Sequence, residues 1–77
     1  MMRDEEKMIF ELLYNKYKTL LLGKKECSCE VNRSISSLDR DRKNATGMQY
    51  IQENNGNVYY PITEIVKFIL NSQTKTI

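Results

Sequence analysis

Apolar residues near the start of the chain recur with the period of an α-helix. Met8 and Ile9 lie four and three residues before Leu12, and an acidic run at residues 4–6 precedes them. Negative charge in the first turn of a helix is stabilised by the helix dipole. The pattern predicts an N-terminal amphipathic helix within residues 1–19.

A second apolar row, formed by Phe10, Tyr14 and Tyr17, lies beside the first. The resulting arc is wider than a helix packed on one small domain needs. The extra surface serves either packing within the chain or association with a second chain. In the second case we predict a homodimer through Met8, Ile9, Phe10, Leu12, Leu13, Tyr14 and Tyr17.

The pattern over residues 24–43 predicts two short helices joined by a tight turn. Cys27 and Val31 are one helical turn apart, Ile35 and Leu38 are three residues apart, and the positions between them are polar. Each half therefore offers a narrow apolar stripe, and we expect both stripes to pack into a shared core.

The residues between these two helices suit a turn. Asn32 lies at the joint, where a residue that tolerates left-handed backbone geometry is wanted, and Ser34 follows as an N-cap. The exposed face of the second helix then carries small donors and cations of the kind that contact bases and phosphates. These are Ser36, Ser37, Arg40 and Lys43. Together the features are a helix-turn-helix signature.

Two runs rich in aromatic and β-branched residues, 48–51 and 57–60, flank an Asn-Gly pair at Asn55 and Gly56. Such a pair between two strand-like runs is a strong β-hairpin signal. We therefore expect a hairpin here, and a short extended bridge at residues 20–23.

The C-terminal part of the chain has the pattern of one more helix. Pro61 closes the second predicted strand, and apolar residues at helical spacing follow it. We expect this helix to run from about Ile62 to Leu70. The main domain then spans residues 20–71, and a flexible polar tail covers residues 72–77.

Composition fits one small soluble domain. The chain has 77 residues, of which 40% are hydrophobic and 29% charged, and its longest apolar run is far shorter than the ~20 residues of a membrane span. Its acidic start lacks the pattern of a signal peptide. We therefore expect a cytoplasmic protein without membrane contact.

The net charge of +2 is unevenly distributed. Residues 1–22 and 44–77 each sum to zero, and the excess comes from residues 23–43, where six cations face four anions. This basic focus coincides with the predicted pair of helices, which favours a nucleic-acid partner.

The sequence contains few residues that could form a catalytic or metal-binding site. The chain has no histidine and no phosphate-binding glycine loop, and its serines occupy predicted caps and a solvent face with no base nearby. Its two cysteines, Cys27 and Cys29, are too few for the four ligands of a structural zinc site. We expect no enzyme activity, no cofactor and no metal, with Cys27 in the core and Cys29 a partly exposed thiol.

The order of these elements resembles small winged helix-turn-helix proteins of the excisionase type, which are minimal relatives of MerR-like regulators. The resemblance covers roughly residues 20–70. It rests on the entry at residues 21–26, the turn and second helix at 32–40, the loop at 42–47, the wing at 50–56 and the Tyr60-Pro61 pair leading to residues 64–66. It implies a mostly α fold with a small β-hairpin, a winged helix-turn-helix with an added N-terminal helix.

The resemblance further implies sequence-specific binding to double-stranded DNA, in a transcriptional regulator or an excisionase-like factor of a phage or mobile element. The second helix, at about 34–41, would enter the major groove, and the wing would lie beside the backbone or the minor groove. The implied DNA-binding residues are Ser34, Ser36, Ser37 and Arg40 on that helix, Lys24, Lys25, Arg33, Arg42 and Lys43 at phosphates, and Asn54, Asn55 and Asn57 in the wing.

Two alternatives remain open on the sequence. The wing asparagines can serve the turn itself, and the wing contains Glu53 but no lysine or arginine. The weak net charge also permits a protein-interaction module that uses the winged fold and the N-terminal helix without binding DNA.

Overall fold

The computed structural model describes residues 3–73, which form four helices and one three-stranded antiparallel sheet. In chain order the elements are α1 (Asp4–Tyr17), β1 (Leu21–Gly23), α2 (Lys24–Val31), α3 (Ile35–Lys43), β2 (Ile51–Gln52), β3 (Val58–Pro61) and α4 (Ile62–Gln73). The prediction of a mostly helical chain with a small β-hairpin is confirmed at this level.

The sheet has one more strand than the sequence predicted. Its order is β1-β3-β2, with Leu22 opposite Tyr60 and Ile51 opposite Tyr59. The predicted bridge at residues 20–23 is thus largely a strand, because β3 has a free edge with which it pairs. The hairpin strand β2 is shorter than predicted, and residues 48–50 have no regular structure.

One hydrophobic core joins all four helices to the sheet. Helix α4 contributes four buried side chains to it, Ile62, Ile65, Val66 and Leu70, at the spacing of one helical face. The other members are Leu13, Leu22, Cys27, Leu38, Val58 and Tyr60. Helix α4 contacts α1, α2 and β3, so it is the element around which the others pack.

Most apolar side chains of helix α1 pack against the rest of the domain. Leu13 is buried, and Ile9, Phe10 and Tyr17 are partly buried against the core. These four residues of the predicted homodimer surface are therefore used in packing against α4, since the helix turns that side towards the core. Met8 and Leu12 remain 62% and 64% exposed, and Tyr14 is also exposed.

The turn between α2 and α3 has the predicted geometry. Asn32 adopts the left-handed conformation with φ 57° and ψ 44°, and its N–H donates to the carbonyl of Ser28. The Ser28 hydroxyl donates to the carbonyl of Arg33. The Ser34 hydroxyl accepts the N–H of Ser37 at 3.1 Å, which confirms Ser34 as the N-cap of α3.

The expectation that Ile35 packs into the shared core was wrong. Leu38 is buried, but Ile35 is 41% exposed. Helical side chains tilt towards the N-terminus of their helix. Ile35 is the first residue of α3, so its side chain lies beyond the first turn of the helix and is left partly exposed.

Helix α4 is longer than predicted. It continues past Leu70 to Gln73, so the predicted tail at residues 72–77 was wrong for its first two residues. Leu70 is buried near the end of the helix, and no glycine or proline follows to stop it. The rest of the predicted tail, residues 74–77, lies outside the described residues.

Candidate nucleic-acid interface

The exposed face of α3 is polar and positively charged. Ser36, Arg40 and Lys43 follow at spacings of four and three residues, so they lie on one side of the helix, and all three are exposed. Leu38 lies on the opposite side and is buried. One side of α3 therefore holds the helix on the domain while the other is open to a partner.

A short chain of hydrogen bonds runs along this face. The Ser34 and Ser37 hydroxyls are 3.1 Å apart, and the guanidinium of Arg40 donates to the Ser37 hydroxyl at 3.4 Å. Arg40 has no carboxylate partner anywhere in residues 3–73. Its remaining N–H donors are available, and their fork geometry suits a phosphate or the O6 and N7 atoms of guanine.

Asp39 forms ion pairs with two of the cations predicted to contact phosphates. Its Oδ1 lies 2.6 Å from Nη2 of Arg42 and 3.7 Å from Nζ of Lys24. The hydrogen bond from Arg42 is the main reason that the pKa of Asp39 lies below its ordinary value. The carboxylate therefore stays charged across the physiological range and keeps both cations engaged.

Arg42 acts as a structural tie between α3 and the sheet. Its side chain is only 16% exposed, and besides Asp39 it donates to the hydroxyl of Tyr60 on β3 at 2.9 Å. Its guanidinium also lies 5.7 Å from the centre of the Tyr50 ring. The predicted phosphate contact of Arg42 did not anticipate this structural role. Asp39 lies three residues before Arg42 on the same helix, a spacing at which opposite charges can pair.

Arg33, in the turn before α3, makes a similar tie. Its guanidinium lies 3.6 Å from Oδ2 of Asp41 and 5.8 Å from the centre of the Phe68 ring on α4. It lines a cleft of about 430 Å³ together with Met48, Phe68 and neighbouring residues. The α2–α3 turn is thereby held against both α3 and α4.

After these pairings, the free positive charge in residues 24–43 is confined to three side chains. Lys25, Arg40 and Lys43 form no ion pair with any residue of the described chain from 3 to 73. Two of them lie on the exposed face of α3. Only three of the six cations counted in residues 23–43 are therefore unpaired within the described chain and available to a ligand.

The hairpin tip is shaped by its own polar groups. The N–H of Glu53 donates to the carbonyl of Asn57, and the N–H of Gly56 donates to the carbonyl of Glu53, both at 2.9 Å. The side-chain oxygen of Asn55 accepts the N–H of Asn57 at 3.0 Å, so Asn55 serves the turn. Asn54 and Asn57 are exposed at the tip.

A groove of about 410 Å³ separates α3 from the hairpin strand β2. Lys43 and Arg42 line one side, and Tyr50 and Gln52 line the other. Tyr50 and Ile51 are exposed beside it, and neither was predicted as a DNA contact. Helix α3 and the start of the hairpin therefore form one continuous surface.

The described residues give no sign of a metal centre or a membrane segment. Between residues 3 and 73, no three side chains of His, Cys, Asp or Glu lie close enough together to hold an ion. Cys27 is buried in the core, where desolvation raises its pKa to about 12, and Cys29 is exposed. In the same part of the chain, no helix has the length and apolar character needed to cross a bilayer.

Comparison of the chain with known protein families, with characterised proteins and with solved structures gave no match.

Proposed function

We propose that this chain binds double-stranded DNA as a winged helix-turn-helix protein, with α3 in the major groove. The observation that carries the proposal is the exposed face of α3, on which Ser36, Arg40 and Lys43 point away from the domain. A helix with small donors and unpaired cations on its outer side matches the chemistry of the major groove.

The internal ties of Arg42 and Arg33 support this proposal. Arg42 ties the last turn of α3 to β3, and Arg33 joins the turn before α3 to Asp41 and to Phe68 of α4, so the helix is held against the rest of the domain. A recognition helix held in this way loses little conformational freedom on binding. We assign Arg42, Arg33 and Lys24 to positioning the helix, in place of the phosphate contacts expected from the sequence.

The proposed contacts then divide by chemistry. Arg40 reads a base edge, with Ser36 and Ser37 beside it, and Lys25 and Lys43 contact phosphates. The hairpin acts as the wing, and the exposed Asn54 and Asn57 approach the DNA backbone next to the groove that separates β2 from α3. The wing contributes hydrogen bonds rather than charge, because its tip carries no cation.

The biological role that we propose follows from the resemblance in the sequence. A small protein of the excisionase type would act in the cytoplasm as a transcriptional regulator or an excisionase-like factor of a phage or mobile element. No part of the proposal requires catalysis, and Arg40 is the residue on which its specificity depends.

Selection from a pool of random-sequence DNA duplexes at two salt concentrations tests the proposal. We expect enrichment of one sequence motif by the wild-type chain and loss of that enrichment in Arg40→Ala. Lys7→Ala is the matched control, because Lys7 is an exposed cation on α1 without an ion pair in residues 3–73. Absence of any retained duplex at low salt would overturn the proposal.

A protein-interaction module is the second candidate. It is favoured by the exposure of Met8 and Leu12 on α1, two apolar side chains that the domain does not use. If the chain retains no DNA but associates through α1, this second function replaces the first.

A further inference from the structure

The outer side of α1 carries a stripe that changes from acidic to apolar to basic. Glu5, Met8, Leu12 and Lys16 follow one another at spacings of three, four and four residues, so they lie along one side of the helix. Met8 and Leu12 are 62% and 64% exposed, whereas Leu13, about 100° further round the helix, is buried. The stripe is therefore surface that the fold leaves uncovered.

The two charges at the ends of the stripe can accept partners. Glu5 forms no ion pair within residues 3–73. Lys16 lies 2.7 Å from Oε2 of Glu30, but its side chain is 59% exposed. An ammonium group has three N–H donors, so Lys16 can bind a second carboxylate while it keeps Glu30.

This stripe is complementary to itself when it is reversed. If two copies of α1 lie antiparallel, with a two-fold axis between Met8 and Leu12, then Met8 of each copy faces Leu12 of the other. In this register Glu5 of each copy lies about one residue, or about 1.5 Å along the axis, from the position opposite Lys16 of the other, which the long lysine side chain can reach. A parallel arrangement would instead place like charges together at both ends. Such isologous contacts are the usual form of a two-fold dimer.

We propose that this stripe on α1 is a contact surface for a second copy of the chain in antiparallel orientation. Charge complementarity argues for a second copy. When the stripe runs in the opposite direction on that copy, the acidic end of each helix meets the basic end of the other and the apolar residues meet in the middle. The surface offers only two large apolar side chains per copy, well short of the ~800 Å² per partner that stable complexes bury. The dimer is therefore weak and reversible.

The inference does not depend on DNA binding, and its first test uses no DNA. Sedimentation velocity of the full chain over a range of concentrations is expected to show a reversible monomer–dimer equilibrium. Leu12→Glu should raise the dimer dissociation constant by at least about tenfold, because each interface then buries two added charges. Leu20→Glu is the matched control, since Leu20 is 57% exposed but follows the end of α1.

The orientation is tested by reversing one charge at a time. Glu5→Lys and Lys16→Glu should each weaken the dimer, because either change places like charges together in the antiparallel register. An equimolar mixture of the two variants should regain dimerisation, since every contact between them again joins opposite charges. Circular dichroism checks that each variant is folded, and Glu5→Lys alone remains informative if the loss of the Lys16–Glu30 pair unfolds the other.

Three results would overturn the proposal. A wild-type chain that stays monomeric at the highest concentration has no such contact. A dimer that Leu12→Glu leaves unchanged uses another surface. A dimer that is lost in Leu12→Glu but unaffected by both charge reversals is not antiparallel in this register.

Discussion

The guanidinium of Arg42 and the hydroxyl of Tyr60 are joined by a hydrogen bond of 2.9 Å between α3 and the central strand β3. Tyr60 is 1% exposed, so its hydroxyl depends on a partner within the protein. Burial raises the pKa of Tyr60, which keeps its hydroxyl neutral and able to accept the bond. A cation of α3 is in this way used to hold that helix in place.

Arg42→Ala is expected to lower the free energy of unfolding by about 1–3 kcal/mol, because it leaves the buried hydroxyl of Tyr60 unpaired. Chemical denaturation with urea measures the change. Lys43→Ala, next to it but exposed and without an ion pair in residues 3–73, is the control and should stay within about 0.5 kcal/mol of the wild type. Equal effects of the two changes would show that the Arg42–Tyr60 bond does not stabilise the fold.

The pairing of Asp39 with Arg42 predicts a dependence of stability on pH. The pKa of Asp39 is lowered in the folded chain, chiefly by the hydrogen bond from Arg42. A lowered folded pKa contributes stability above the unfolded pKa, near 4, and that contribution is lost as pH falls through the folded pKa. Asp39→Asn should therefore be less stable than the wild type at neutral pH, and the difference should shrink in acid.

Urea denaturation of both chains at pH values from about 7 down to about 3 tests this expectation, since an ordinary aspartate titrates within that range. A difference in free energy of unfolding between the two chains that stays the same at every pH would mean that the charge of Asp39 contributes nothing to stability. Glu53→Gln, at the exposed hairpin tip, provides a control for the removal of a carboxylate without an ion pair in the described chain.

The left-handed conformation of Asn32 predicts a specific order of stabilities at that position. Its φ of 57° is unfavourable for alanine and easy for glycine. Asn32→Ala should destabilise the chain by about 1 kcal/mol, whereas Asn32→Gly should be nearly neutral. Thermal unfolding compares the two variants, and an alanine variant as stable as the glycine variant would contradict the assigned turn geometry.

Features set by neighbouring residues were predictable from the sequence, and those set by distant partners were not. Asn32 at the turn and Ser34 at the cap follow from local backbone preferences, and the structure confirms both. Strand β1 has only three residues, and its identity depends on pairing with β3 almost forty residues later. No local pattern predicts such a pairing.

The same distinction applies to the candidate site. The exposed face of α3 was predicted because helical periodicity alone determines which residues share a side. The engagement of Arg33 and Arg42 was not, since it depends on Phe68 of α4 and Tyr60 of β3. Counting cations in the sequence therefore overestimated the charge that is free for a ligand.

If the chain binds DNA as proposed, the pairing state of each lysine predicts its share of the salt dependence. Lys43 has no ion pair in residues 3–73, whereas Lys24 lies 3.7 Å from Asp39. Each phosphate contact releases about one counterion, so Lys43→Ala should reduce the slope of log affinity against log salt by about 1. It should weaken binding to all sequences alike.

Lys24→Ala is the matched comparison, and we expect a smaller change in slope because Asp39 already pairs with that lysine. Titration of a fluorescent duplex at four or more salt concentrations gives the slope for each chain. Equal slopes for the wild type and Lys43→Ala would remove Lys43 from the phosphate contacts. A larger loss in Lys24→Ala than in Lys43→Ala would mean that DNA displaces Asp39 from Lys24, and the ion pair would then be a competitor of the ligand rather than a support for the helix.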